Sequence, residues 1–139
     1  MDTRHVTVTV CRGCCCGSDV KHPDVDHEGN LAVLTHAAQS SGCGVLRVVN
    51  CLDECDRSDV VAVRRRLPAG PEIIWLGPLN DPLDVAVLGD WLRRGAPGGL
   101  RRIVWRRWCS PSVRRVRRSR SATHAARKRA WCARLCARH

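Results

Sequence analysis

Long apolar runs are absent from this chain of 139 residues, and no stretch reaches the roughly 18–20 residues of a membrane-spanning helix. The first residues, MDTRHVTVTV, lack the basic segment, the apolar segment and the small-residue cleavage site of a secretory signal peptide. Neither a GxGxxG motif nor a P-loop is present, so nothing indicates a flavin or nicotinamide site. We therefore expect a cytoplasmic protein whose cysteine thiols stay reduced.

Acidic side chains are absent from residues 101–139, which carry 14 Lys and Arg residues. Residues 1–100 hold 10 basic and 13 acidic side chains, so the net charge of +11 combines an acidic front with a strongly basic tail. The composition changes near GAPGGL, residues 95–100. We therefore predict a folded domain over residues 1–98, followed by a basic, Arg-rich and poorly ordered extension over residues 99–139.

The hydrophobic pattern of the front segment predicts four strands and two helices. The apolar runs typical of strands are His5–Cys11, Val45–Asn50, Asp59–Arg65 and Ile73–Gly77. The helices follow the capping residues Asp26 and Asp81, and the second ends at Gly95. The order β-α-β-β-β-α predicts an α/β fold with a mixed sheet. Its first two strands are parallel neighbours, and its last two are antiparallel.

Cysteine is abundant, with 10 residues in the chain. Cys11 ends the first predicted strand and is followed by the run Cys14–Cys16, whereas Cys51 and Cys55 follow the second strand. Because the carboxyl ends of parallel strands lie at one edge of a sheet, we expect both groups to meet there, at the surface. Clustered thiols in a reducing compartment indicate metal binding or catalysis sooner than disulfides.

Residues 5–95 resemble the thioredoxin-like [2Fe–2S] ferredoxins, which include small stand-alone ferredoxins and the cluster-bearing peripheral subunit of respiratory NADH dehydrogenase. The resemblance rests on VC-x4-C, on NCLDECDRSDVVAV and on IIWLG…NDP. It implies that residues 1–98 form a thioredoxin-like ferredoxin domain, an electron carrier for a redox partner protein and not an enzyme by itself. It also implies a [2Fe–2S] cluster held by the thiolates of Cys11, Cys16, Cys51 and Cys55.

The second ligand has competitors in this sequence. Cys14 would form C-x2-C with Cys11, which is also a good chelate, and Cys15 is a third candidate beside Cys16. Four cysteines suit a structural Zn²⁺ site as well as iron, so a zinc-binding module stays an alternative. A thiol cluster without metal and a dithiol enzyme are the remaining interpretations of these residues.

Other side chains near the thiols receive plainer interpretations. Cys43 is taken as a loop residue, His22 and His27 as solvated loop residues, and Trp75 and Trp91 as core residues. The acidic side chains of the second cysteine loop indicate either a solvated turn or a docking patch for a basic redox partner. They are Asp53, Glu54, Asp56 and Asp59.

The basic tail has three interpretations. Its arginines and tryptophans suit non-specific contact with nucleic acid, with the front domain as scaffold. Cys109, Cys132 and Cys136 could form a further metal site. We favour a third interpretation, in which the extension has no selected function. Arg outnumbers Lys by 22 to 2 over the whole chain, which indicates a GC-rich gene. The composition of the tail is typical of such DNA translated out of frame. A homodimer is compatible with the sequence, and metal binding should not depend on the tail.

Overall fold

The computed structural model describes residues 5–54 and 58–98. Cys55 and the extension over residues 99–139, whose expected disorder is a sequence prediction, lie outside the described residues. The elements are β1 (Val6–Cys11), α1 (His27–Ser40), β2 (Gly44–Val49), β3 (Val61–Leu67), β4 (Gly70–Leu76) and α2 (Pro82–Arg93). No helix within these described ranges is long and apolar enough to cross a membrane.

The four strands form one mixed sheet in the order β2-β1-β3-β4. β1 and β2 are parallel, with Val6 opposite Gly44 and Cys11 opposite Val49. β3 is antiparallel to both β1 and β4. The predicted α/β class, the order of elements and the directions of these strand pairs are therefore confirmed. The thioredoxin-like topology stays a prediction.

Both helices begin at the predicted caps. The carboxylate of Asp26 accepts a hydrogen bond from the N–H of Gly29 at 2.9 Å, and that of Asp81 accepts one from Leu83 at 2.8 Å. Each cap satisfies an N–H group that has no partner within the helix. Pro82, as the first residue of α2, has no N–H group to satisfy.

The main core lies between the helices and one face of the sheet. Alternate strand residues on that face join the buried side chains of both helices in a single cluster, which includes Val8, Val63, Ile74, Leu34, Leu88 and Trp91. Trp91 is therefore a core residue, as predicted. The two helices approach closely at Gly89, where a Cβ atom would lie 3.3 Å from a methyl group of Val33. The opposite face of the sheet carries Cys11, Ala62 and Trp75.

Buried Arg65 fixes the chain after α2 to the sheet. Its guanidinium pairs with Glu72, with an Nε–Oε2 distance of 2.6 Å, and donates to the carbonyls of Ala96 and Pro97 at 2.9 and 2.8 Å. It also lies over the ring of Trp91 at 5.7 Å. A buried charge is tolerated here because its donors are satisfied.

The core assignment is tested by two leucines of α2. Leu88 is fully buried, whereas Leu83 is 74% exposed. We expect Leu88→Ala to lower the free energy of unfolding by about 2–5 kcal/mol through lost contacts and a cavity. Leu83→Ala should change it by less than about 0.5 kcal/mol. Urea unfolding of both variants measures the difference, and equal effects would contradict this packing.

Candidate thiol site

The cysteine loop, residues 11–17, reverses direction directly after β1. The N–H group of Arg12 donates to the carbonyl of Val49 at 2.8 Å, and that of Gly13 donates to the carbonyl of Cys16 at 3.3 Å. The first bond holds the loop against the end of β2, and the second closes the loop on itself. The loop therefore lies at the carboxyl ends of the parallel strands.

Cys11 and Cys16 form a buried pair of thiols, with 2% and 1% of their surface exposed. They pack with Val60, Leu52 and Trp75 in a cluster separate from the main core. Trp75 was predicted to be a core residue, but it lies half-buried in this second cluster, because its strand position faces away from the helices. The pair is also buried, and not at the surface where we expected it.

The two thiols differ in acidity. The Cys16 thiol donates a hydrogen bond to the Cys11 sulfur, which lowers the pKa of Cys11 from 9.0 to about 7. The N–H of Leu52 and the charge of Arg12 act in the same direction on this pKa, against the effect of burial. The same hydrogen bond, together with burial, raises the pKa of Cys16. Near neutral pH Cys11 is therefore partly ionised to the thiolate, while Cys16 stays a thiol.

A second group of sulfurs lies beside this pair. Cys15 is buried, and the half-buried Cys14 and Cys51 pack against it. The sulfurs of Cys14 and Cys15 are 3.9 Å apart. The N–H of Asp53 donates to the Cys51 sulfur at 3.3 Å, which fixes the turn after β2. The two cysteine loops are thus in direct contact at one edge of the sheet.

The sequence-predicted ligands are only partly gathered. Cys11 and Cys16 are together, Cys51 lies with the two other thiols of the cysteine loop, and Cys55 is outside the described residues. Within residues 5–54 and 58–98, no group of three or more His, Cys, Asp or Glu side chains is arranged to hold a metal ion. The four-cysteine ligand set stays a prediction.

Asp59 is the functional residue that the sequence interpretation missed. It was assigned to a solvated turn or docking patch, but it is 2% exposed. Its carboxylate accepts hydrogen bonds from the N–H of Gly17 at 2.7 Å and from the His27 ring at 2.8 Å, and it pairs with Arg12 at 3.3 Å. Its own N–H donates to Asn80 at 3.2 Å. The assignment was wrong because the segment directly before β3 turns this side chain inward, towards the cysteine loop.

His27 was also assigned wrongly as a solvated loop residue, whereas His22 does lie in a loop. His27 is 5% exposed, with Nδ1 on Asp59 and Nε2 at 3.2 Å from the carbonyl of His22. His22 is half-buried, its Nε2 lies 3.1 Å from the hydroxyl of Ser58, and burial lowers its pKa. Both rings are therefore part of the support beneath the cysteine loop.

Gly17 leaves room for the Arg12 side chain beside the cysteine loop. Its φ of 71° favours glycine, and a Cβ atom there would lie 2.3 Å from the Cδ atom of Arg12. Arg12 also donates to the carbonyls of Cys11 and His27 at 3.3 and 3.2 Å. The arginine therefore lies beneath the loop and joins it to the start of α1.

Cys43 lies away from both sulfur groups, as expected of a loop residue. It precedes β2, and its carbonyl accepts hydrogen bonds from His5 and Val6 at the start of β1. Cys11 is at the other end of that strand. Cys43 is therefore a suitable control for experiments on the thiol site.

The donor set suits a soft metal or an iron–sulfur group. Thiolate sulfur is the ligand that such groups prefer, and Cys11 has thiolate character near neutral pH. The cluster around the pair also holds a buried N–H donor, the Nε1 atom of Trp75, which has no acceptor among the described residues. Comparison of the chain with protein-family models, curated proteins and solved structures gives no match.

We expect Asp59→Asn to lower the free energy of unfolding by about 3 kcal/mol, because it removes a buried charge and leaves the half-buried Arg12 without its counter-charge. Asp90→Asn is the matched control. Its pair with Arg94 is on the surface, with side chains 54% and 62% exposed, and should contribute less than about 1 kcal/mol. Denaturant unfolding of the two variants gives the comparison, and a mild effect at Asp59 would contradict the buried network.

In reduced, metal-free protein, one thiolate should titrate near pH 7 because of the Cys11–Cys16 hydrogen bond. Cys16→Ala removes the donor and should move this titration upward, whereas Cys43→Ala should not. The lowered pKa of Cys11 adds stability that is present above pH 9.0 and is lost as the pH falls through about 7. Thiolate absorbance in the ultraviolet measures the titration. An unchanged curve in Cys16→Ala would refute the pairing.

Proposed function

We propose that this protein is a small, cytoplasmic electron carrier of the thioredoxin-like ferredoxin type, with a [2Fe–2S] cluster held by Cys11, Cys16, Cys51 and Cys55. The observation that carries the proposal is the contact between the two cysteine loops at the carboxyl ends of β1 and β2. A mixed four-stranded sheet with two helices is consistent with the thioredoxin-like layout. One-electron reduction is the chemistry that the cluster supplies when bound.

The residues of the chain have separate tasks in this proposal. The thiolates of the two loops bind the cluster, and Asp59 with Arg12 holds the first loop in place. Val60, Leu52 and Trp75 exclude water from the Cys11–Cys16 pair. Low exposure and hydrogen bonds to sulfur are the means by which a protein sets the potential of such a group.

Cys14 and Cys15 are the alternatives to Cys16 as second ligand. They need equal testing because Cys14 and Cys51 both pack against Cys15. Replacing each in turn with serine separates the three. The true ligand is the one whose loss removes the cluster, and the others should retain it.

Protein purified without oxygen should contain two iron and two sulfide ions per chain, absorb visible light and give a paramagnetic signal after reduction. Cys11→Ser should abolish all three properties, because it removes a ligand from the buried pair. Cys43→Ser should retain them, since Cys43 lies at the other end of the sheet.

The metal content also decides between the competing functions. If the protein contains one Zn²⁺ per chain, with no iron and no visible absorption, its function is that of a structural zinc module and not of an electron carrier. Absence of both metals, together with salt-sensitive binding of nucleic acid by the full chain, would favour the nucleic-acid-binding function.

A further inference from the structure

Trp75 packs against the cluster of the thiol pair, on the face of the sheet that is turned away from the helices. It stands on β4 opposite Ala62, and β1 and β3 bring Cys11 to the same face. Its side chain packs against the cluster that Cys11, Cys16 and Val60 form. The indole is therefore part of the immediate apolar surroundings of the thiol pair.

Among residues 5–54 and 58–98, the indole N–H group of Trp75 has no acceptor. Its Nε1 atom is buried and makes no hydrogen bond with the described residues. The other tryptophan of the domain, Trp91, has a paired indole N–H group, because its Nε1 atom donates to the carbonyl of Pro97 at 3.1 Å. Buried polar groups in proteins are normally paired, so an unpaired donor in the cluster around two buried sulfurs indicates an acceptor that binds there.

We propose that Trp75 donates a hydrogen bond from Nε1 to an anionic sulfur of the group bound at Cys11 and Cys16. This inference rests on the proposed function, since it requires the thiols to bind a metal or cluster. A neutral thiol is a weak acceptor, whereas a metal-bound thiolate or a sulfide carries charge and accepts strongly. The donor is therefore satisfied in the loaded protein.

Such a bond has a consequence for redox behaviour. Reduction adds negative charge to the sulfurs, so an N–H donor stabilises the reduced form more than the oxidised form. Trp75 would therefore raise the reduction potential while binding no metal itself. Its aromatic body would exclude water from the same sulfurs.

The first test uses Cd²⁺ as a diamagnetic, thiolate-binding probe on reduced protein labelled with ¹⁵N. Assignment of the indole signals comes from Trp75→Phe and Trp91→Phe. We expect the Nε1–H resonance of Trp75 to move downfield when Cd²⁺ binds. The resonance of Trp91 should stay in place, because its hydrogen bond to Pro97 is already made. A stationary Trp75 resonance in protein that has bound Cd²⁺ overturns the inference.

The second test measures the potential of the iron-loaded protein. Trp75→Phe keeps the aromatic packing and removes the donor, so it should leave the iron content unchanged. It should shift the ratio of reduced to oxidised protein about tenfold towards the oxidised form, or about 59 mV for one electron. Trp91→Phe should not shift this ratio. An unchanged potential in Trp75→Phe also overturns the inference.

The two tests separate this inference from the proposed function. If no iron is bound but the Trp75 resonance responds to Cd²⁺, the ferredoxin function is wrong, and the role of Trp75 as a hydrogen-bond donor is retained for a metal–thiolate site. If the cluster forms and both Trp75 measurements are unaffected, the function stands and the donor role falls.

Discussion

The buried carboxylate of Asp59 is the interaction on which the thiol site depends. A charge with 2% exposure must be compensated, and here the compensation comes from separate parts of the chain. Arg12 and Gly17 contribute from the cysteine loop, and His27 contributes from the start of α1. These contacts connect the cysteine loop at the end of β1 to the start of α1 through one carboxylate.

The charges of this network also act on the pKa of Cys11. Arg12 lowers the pKa of Cys11, while Asp59 raises it. The paired charges thus offset each other at the sulfur, and the hydrogen bond from Cys16 is the largest influence on the Cys11 thiolate. The charges therefore act mainly on the position of the loop, and the neighbouring thiol acts on the acidity.

The sequence was sufficient to predict the strands and helices and the end of the sheet at which the two cysteine loops meet. Alternating valines and two capping aspartates are local signals, and they predicted the strands and helix starts correctly. The burial of His27 and Asp59 is not local. It follows from the antiparallel pairing that places the start of β3 beside the end of β1, where Cys11 N–H bonds the carbonyl of Val60. Spacing also could not decide which thiols of a tight loop face each other.

The two faces of the sheet have different roles, because one packs into the main core and the other carries the thiol site. The helices and one face form the main core, whereas Cys11, Cys16 and Trp75 belong to a cluster on the other side. Because successive side chains of a strand point to opposite faces of the sheet, a change at Trp75 can alter the surroundings of the sulfurs without opening the main core. Asp59 is different, because its partners connect the cysteine loop to α1. A substitution there must disturb both the site and the fold.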